Sequence, residues 1–420
     1  MFVLSSTFAT GAPEQLGEAP DVVQAAFNGD ASRVITRTGG GTIGLWEAKS
    51  GLPVSGELNA PGAGFITDAG GRNVLVCQKD GGARIFDTTS GKALSPPLDV
   101  RFRDPAFPEA VFSPDSTQVL IFEPEAIAVF TVASGERLAR LPIRAGTAEE
   151  DLDVNARATF TKDGRQCFVM DRKGTVTPFD ARTWKPTGAP LRHPAADLAY
   201  NFGFAVSDDG RWVATFDDPG ENGPKSHLQP WDVAKGKPLG KPLIAVNGFG
   251  GAFLPSSNRL LVLPGRGDAT VLDFPALKKS ATIRAHDEVD GPRVAASPDG
   301  KWLVSWGADQ IVRLHVAATG VIQESQLFHA TITQVLLLPD SSGCVVVFDN
   351  SAFLLQNHYD HYVLRLSFPD MTVTDSLRIT EPVNRVVLSP DGHRLLVQSG
   401  PSKKERVWLF ETAGLKPVVP

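Results

Sequence analysis

The phrase Ser-Pro-Asp-Gly occurs at 297–300 and returns at 389–392, each time leading into an apolar run, "WLVSW" and "RLLVQ". A tight turn feeding a strand, repeated within one chain, constrains the fold more than any other feature, because a fixed internal period decides the architecture. Alignment on the aspartate and the apolar run finds drifted copies at Asp115, Asp163 and Asp209. Further copies lie at Asp30, near Gly70, near Ser256 and at Asp340. Nine units thus span the 361 residues from Asp30 to Asp391, a period of about 45 residues.

Each unit has the same internal order. An apolar strand leads into the turn, where Pro presets φ and Asp or Gly suits the corner. The second strand is almost continuously apolar, as in a sheet buried on both faces. A third strand ends in an aromatic residue, at Trp46, Phe86, Phe179, Trp231 and Phe410. After a small turn comes a fourth, polar strand rich in Pro and Lys, which suits an exposed edge. Long amphipathic helical patterns are scarce, and the 40 Gly and 32 Pro are spread evenly along the chain. The prediction is an all-β fold over residues 1–420: a single β-propeller of four-stranded antiparallel blades. Nine blades are expected, with eight as the alternative if the unit near Gly70 or Ser256 is displaced.

The stretch "WDVAKGKPLGKPL" at 231–243, with the recurring turns, resembles WD-repeat β-propellers in the Pro-rich style of bacterial repeats. The resemblance covers essentially the whole chain. The Trp-Asp pair is intact only at Trp231-Asp232, and His315-Val316 stands in its place in the unit at Asp299. The family's Gly-His pair is reduced to His193, His286 and His329 after other residues. The resemblance implies a stabilising Asp–His–Ser/Thr–Trp hydrogen-bond network, expected to be incomplete in most blades. It also implies a sensor or scaffold within a larger system.

Composition narrows the function. A net charge of −6 argues against a general nucleic-acid binder. Cys77, Cys167 and Cys344 sit in apolar runs and read as buried free thiols, with no zinc spacing. The N-terminal residues lack the basic region of a signal peptide, and no stretch has the apolar length to cross a bilayer, so a cytoplasmic protein without membrane partners is expected. Neither a Gly-x-Ser-x-Gly elbow nor a phosphate loop is present. In "HYDH" at 358–361, His358 and His361 would point to opposite sides of an extended strand. No catalytic residue, metal or cofactor is therefore expected. The alternative is a lactonase- or hydrolase-like propeller enzyme whose metal or ligand is held at the central channel by several blades.

Loop lengths point to a binding face. Long connections occur at 100–110 and 144–156, between a fourth strand and the next first strand, and at 217–227, 349–361 and 399–406, between second and third strands. Both classes open on one face of a propeller, and loops on one face of a repeat protein commonly carry recognition. The expected function is non-catalytic binding of a protein or peptide there. Candidate contacts are Phe102, Arg103, Phe107, Glu150, Asp151, Asp217 and Tyr359. The aromatic-plus-Arg group is of the type that anchors interfaces, although Phe102 and Phe107 could equally tuck under their loop.

Residues 1–20 read as a third and fourth strand without a first or second, matching 311–328. Closing the ring would let a segment within 2–19 pair in the sheet that contains "VWLF" at 407–410. Deletion of residues 1–20 is then expected to lower the melting temperature sharply; a truncated protein melting like the full chain would show that the clasp lies elsewhere.

Overall fold

The computed structural model describes residues 21–54, 56, 58, 60–62, 64–78, 81–102, 104, 109–143, 157–194, 201–218, 226–245, 249–264, 267–284, 286, 293–349, 360–401 and 405–418. These form nine small antiparallel sheets, each a meander in sequence order. Blades 1 to 9 begin with the first strands Val22–Phe27, Gly64–Thr67, Ala110–Phe112, Arg157–Phe160, Asn201–Val206, Phe249–Phe253, Arg293–Ala296, Thr331–Leu337 and Val383–Leu388. The nine units read from the sequence are the nine blades, in register, and the eight-bladed alternative is set aside. The postulated clasp at residues 1–20 lies outside the described residues.

The recurring turn has a physical cause. In all nine blades the residue after the turn's corner has φ between +52° and +75°: Ala31, Gly71, Ser116, Gly164, Gly210, Ser256, Gly300, Ser341 and Gly392. A type I turn followed by such a left-handed residue is a standard three-residue hairpin connection. In five blades a hydroxyl (Ser113, Thr161, Ser207, Ser297, Ser389) donates to the Asp two residues on at 2.5–2.7 Å. The same hydroxyl accepts the backbone N–H five residues on at 2.9–3.1 Å. Hydroxyl, Asp and Gly are thus the residue types that satisfy the backbone at this corner. At Gly300 a Cβ would also meet the Pro255 carbonyl oxygen of blade 6 at 2.7 Å, so neighbouring turns are packed against each other.

Fourth strands differ from the uniform edge expected. Blades 3, 6, 7 and 8 have full ones, Arg137–Pro142, Lys278–Ile283, Ile322–Leu327 and Val373–Ile379. Blades 1 and 4 have two-residue stubs, Ala60–Pro61 and Leu191–Arg192, and blade 5 splits its edge into Lys237–Pro238 and Leu243–Ala245. Blades 2 and 9 pair only through isolated bridges such as Phe86↔Ala93 and Phe410↔Pro417. Proline lacks the N–H that a continuing ladder needs.

The core is divided. Nine clusters of buried apolar side chains each join two adjacent blades. Trp212 of blade 5 packs on Phe274 of blade 6, and Trp302 of blade 7 on Phe368 of blade 8, both at 6.2 Å between ring centroids. The three cysteines are buried free thiols as expected, with Cys344 pushed up to about 12 by burial. One cluster joins Val22, Ala25, Phe27 and Val34 of blade 1 to Leu396, Val407 and Leu409 of blade 9, so the first and last blades meet. Polar bonds reinforce this seam: Val22 N–H donates to the Glu405 carbonyl at 3.1 Å, and Gln398 Nε2 donates to the Val22 carbonyl at 2.7 Å.

If the closing interface is equivalent to the others, Leu409→Ala should destabilise the protein about as much as Leu314→Ala in the blade 7–8 cluster, each by roughly 2–5 kcal/mol. Urea unfolding of the two variants checks this; a Leu409→Ala effect far below its counterpart would mean that the seam is loose.

Candidate functional site

In an antiparallel meander, second-to-third connections and blade-to-blade connections emerge at the same end of each sheet. Each long connection links either a second to a third strand or a blade's outer edge to the next blade's first strand, and most residues of the connections themselves lie outside the described residues. Among the sequence-derived contacts, Arg103, Phe107, Glu150, Asp151 and Tyr359 lie outside the described residues. Phe102 is half-buried and packs against the apolar cluster between blades 2 and 3. Asp217 is 2% exposed and does not stand on the surface; its carboxylate is bonded by His227 and faces His193. In the "HYDH" segment, Asp360 accepts a hydrogen bond from Arg378 at 2.7 Å and His361 is buried at the start of the third strand of blade 8.

Blade 5 builds a polar network on strands Trp212–Asp218 and Ser226–Asp232. Thr215 on the second strand faces inward, fully buried, and its Oγ1 accepts the Trp231 indole N–H at 2.9 Å. His193, directly after the Leu191–Arg192 stub of blade 4, places Nδ1 2.8 Å from the same oxygen. Its Nε2 points toward Asp217 Oδ2 at 3.6 Å, too far for a hydrogen bond, and has no other partner among the described residues. Asp217 instead turns to His227, the first residue after Ser226 on the third strand. The His227 backbone N–H donates to Oδ1, and its Nδ1 lies 3.3 Å from Oδ2. Burial alone would raise the Asp217 pKa, but the facing His193 and His227 groups outweigh it and hold the carboxyl below its ordinary value. These residues are the Asp–His–Thr–Trp set implied by the WD-repeat resemblance, with His227 added.

Blade 7 carries a second version. Here His286 Nδ1 meets Asp309 Oδ1 at 2.7 Å and Nε2 meets Ser305 Oγ at 2.8 Å. His315 replaces the tryptophan, with Nε2 2.7 Å from Ser305 Oγ. Its Nδ1–H donates to the Gly320 carbonyl at 3.2 Å, so Nε2 is the acceptor for the serine hydroxyl. The Arg313 guanidinium closes the network, donating to Asp309 Oδ2 at 2.6 Å and lying 2.6 Å from His286 Nδ1. In blade 1 the indole–hydroxyl part is formed among the described residues, from Trp46 to Thr36 at 2.7 Å. His329 is exposed.

Sequence reading singled out His193, His286 and Trp231 but not Thr215, Ser305, Asp309 or His227. A hydroxyl two residues beyond the second-strand residue that pairs with the aromatic would have pointed to Thr215 and Ser305. Nothing local marks His227, whose partnership with Asp217 spans a long connection. Among the described residues, His193, Asp217 and His227 form the one group of three metal-ligating side chains whose ligand atoms all lie within 4.8 Å of one another.

Neither a protein-family model nor a curated protein matches the chain. Solved structures do. A crystal structure of a eukaryotic initiation factor superposes with a TM-score of 0.67 at 15% identity, covering 92% of this chain and 94% of that one. The C-terminal WD40 domain of Sif2 gives 0.53 at 12% identity, covering 94% and 97%. The computationally designed Ika8 protein gives 0.51 at 16% identity, covering 79% and 94%. The fold is a WD40-type β-propeller. At these identities the likeness is one of fold, and function has to be argued from the site.

The blade 7 network should make the propeller acid-sensitive. Burial, followed by the charges of His286 and Arg313, lowers the His315 pKa below its usual 6.5, while the Gly320 carbonyl raises it. Burial also lowers His361, against Asp349 and Asp360. A depressed histidine binds its proton more weakly folded than unfolded, so its contribution is complete above about pH 6.5 and is lost as pH falls through the folded value. Thermal melts from about pH 7.5 to 5.5 should show falling stability. His315→Trp should remove part of that slope; an unchanged slope would refute the role given to His315.

Proposed function

We propose that this chain is a non-catalytic protein-interaction module that presents its loop-bearing face to a protein or peptide. The observation that carries the reading is the asymmetry of the connections. The first-to-second strand turns are uniform hairpin corners, whereas the five long connections read from the sequence fall between second and third strands or between blades. Evolution of a binding surface on such a ring needs only loop changes at one end, because each blade's packing lies between neighbouring sheets. The WD-repeat resemblance supports the same reading, as does the pairing of one aromatic-rich connection (100–110) with an acidic one (144–156).

Phe102, Arg103 and Phe107 supply the anchors in this proposal, Glu150, Asp151 and Tyr359 the polar surround, and Asp217 shapes the face from below. A cytoplasmic scaffold or sensor role fits the composition. Among the described residues no helix is long and apolar enough to cross a membrane.

Affinity capture with the full chain, with a variant carrying shortened connections at 100–110 and 144–156, and with Phe102→Ala/Phe107→Ala tests the proposal. Both variants should lose the captured partner while the ring melts within a few degrees of the parent. Because Phe102 is only half-buried, its truncation should cost less than the roughly 3–5 kcal/mol of a fully buried Phe. Capture that survives shortened loops would place binding elsewhere on the ring.

A further inference from the structure

We propose that His193, Asp217 and His227 bind one divalent transition-metal ion of the zinc class, between the connection entering blade 5 and the end of its second strand. The site goes beyond the interaction reading and stands independently of it.

Three observations converge. First, the ligand atoms are spaced for a metal: Asp217 Oδ2 is 3.6 Å from His193 Nε2 and 3.3 Å from His227 Nδ1. Bonds of roughly 2.0–2.2 Å at tetrahedral angles hold ligand atoms about 3.3–3.6 Å apart.

Second, His193 Nε2 is buried without a hydrogen-bond partner among the described residues, its side chain fully inaccessible. Two proton arrangements satisfy Thr215. If the hydroxyl donates to His193 Nδ1, then Nε2–H faces Asp217 across a gap too long to bond. If it donates to the Gln229 carbonyl at 3.4 Å, then Nδ1–H donates to Thr215 and the Nε2 lone pair faces a carboxylate. Nε2 stays unsatisfied either way, and a buried polar atom in that state is costly. A metal ion between imidazole and carboxylate takes up the Nε2 lone pair of the second arrangement and draws the histidine out of the first. The second already has the Nδ1–H held by an outer hydroxyl, the arrangement that fixes metal-ligating histidines.

Third, blade 7 shows a comparable imidazole–carboxylate pair with a cation built in beside it, its Asp309 four residues beyond Ser305 where Asp217 is two beyond Thr215. There the imidazole–carboxylate pair is closed at 2.7 Å and contacted by the Arg313 guanidinium. Arg313 pairs across the sheet with Ser305; the residue pairing with Thr215 in blade 5 is Gln229, which is neutral and donates its amide to the Pro230 carbonyl at 2.9 Å. Blade 5 therefore has the anion and the open gap but lacks that guanidinium. It has instead a second imidazole, His227, whose side chain is 27% exposed and opens the site to solvent. The ion would take three protein ligands and leave the fourth position to water, tying the two ends of the 218–226 connection to the segment that enters the blade.

The test uses the full chain, stripped with a chelator and titrated with Co²⁺ and then Zn²⁺. One equivalent of Co²⁺ should develop the visible absorption of a tetrahedral site and be displaced by Zn²⁺. His227→Ala removes a part-exposed ligand and should weaken Co²⁺ binding by more than the roughly 10–100-fold caused by loss of outer-shell partners. Its melting temperature in chelator should stay at the parent value. Gln229→Arg supplies the cation found in blade 7 and should abolish binding while the protein stays folded. Absence of stoichiometric Co²⁺ binding by the parent, or parent-like binding by folded His227→Ala or Gln229→Arg, would overturn the site.

Discussion

Everything in this molecule depends on apolar burial between neighbouring sheets. A single four-stranded blade has two apolar faces and cannot cover either alone. The second strands show this most clearly: Val345, Val346 and Val347 are all buried, alternate residues facing the clusters shared with blade 7 and with blade 9. Two-sided burial of this kind forces a near-continuous apolar run instead of an alternating one. It also forces closure, because any blade left at an end would expose a whole face to water.

That same physics explains which parts of the fold were legible in the sequence. Second strands and their turns are local: an apolar run, a hydroxyl, an Asp and a residue able to adopt positive φ all fall within about ten residues. Even the drifted corners at Ala31 and Ser341 keep the left-handed geometry, so the count of nine could be made without a perfect motif. Fourth strands were less legible. Their prolines mark an edge, but whether the edge runs six residues, as at Ile322–Leu327, or shrinks to a bridge, as at Phe410↔Pro417, depends on which N–H groups remain to pair.

The polar networks were least legible because their members come from separate elements. His193 and Trp231 could be noticed from family-like pairs, but Asp217 was assigned to the surface because it opens a polar connection. Its burial follows from position: it extends the second strand's buried run and is drawn inward by His227 across the ladder. The two networks also show how one arrangement tolerates exchange. Blade 7 replaces an indole by an imidazole and keeps every bond because His315 can present an acceptor nitrogen to Ser305 while its other nitrogen finds the Gly320 carbonyl.

The seam between blades 1 and 9 gives the array a property that open solenoids lack. A linear stack of repeats needs polar caps and loosens from its termini, since an end unit is held by one neighbour. In a closed circle no unit is terminal. Releasing any blade means giving up two apolar interfaces at once, so partial unfolding has no cheap starting place.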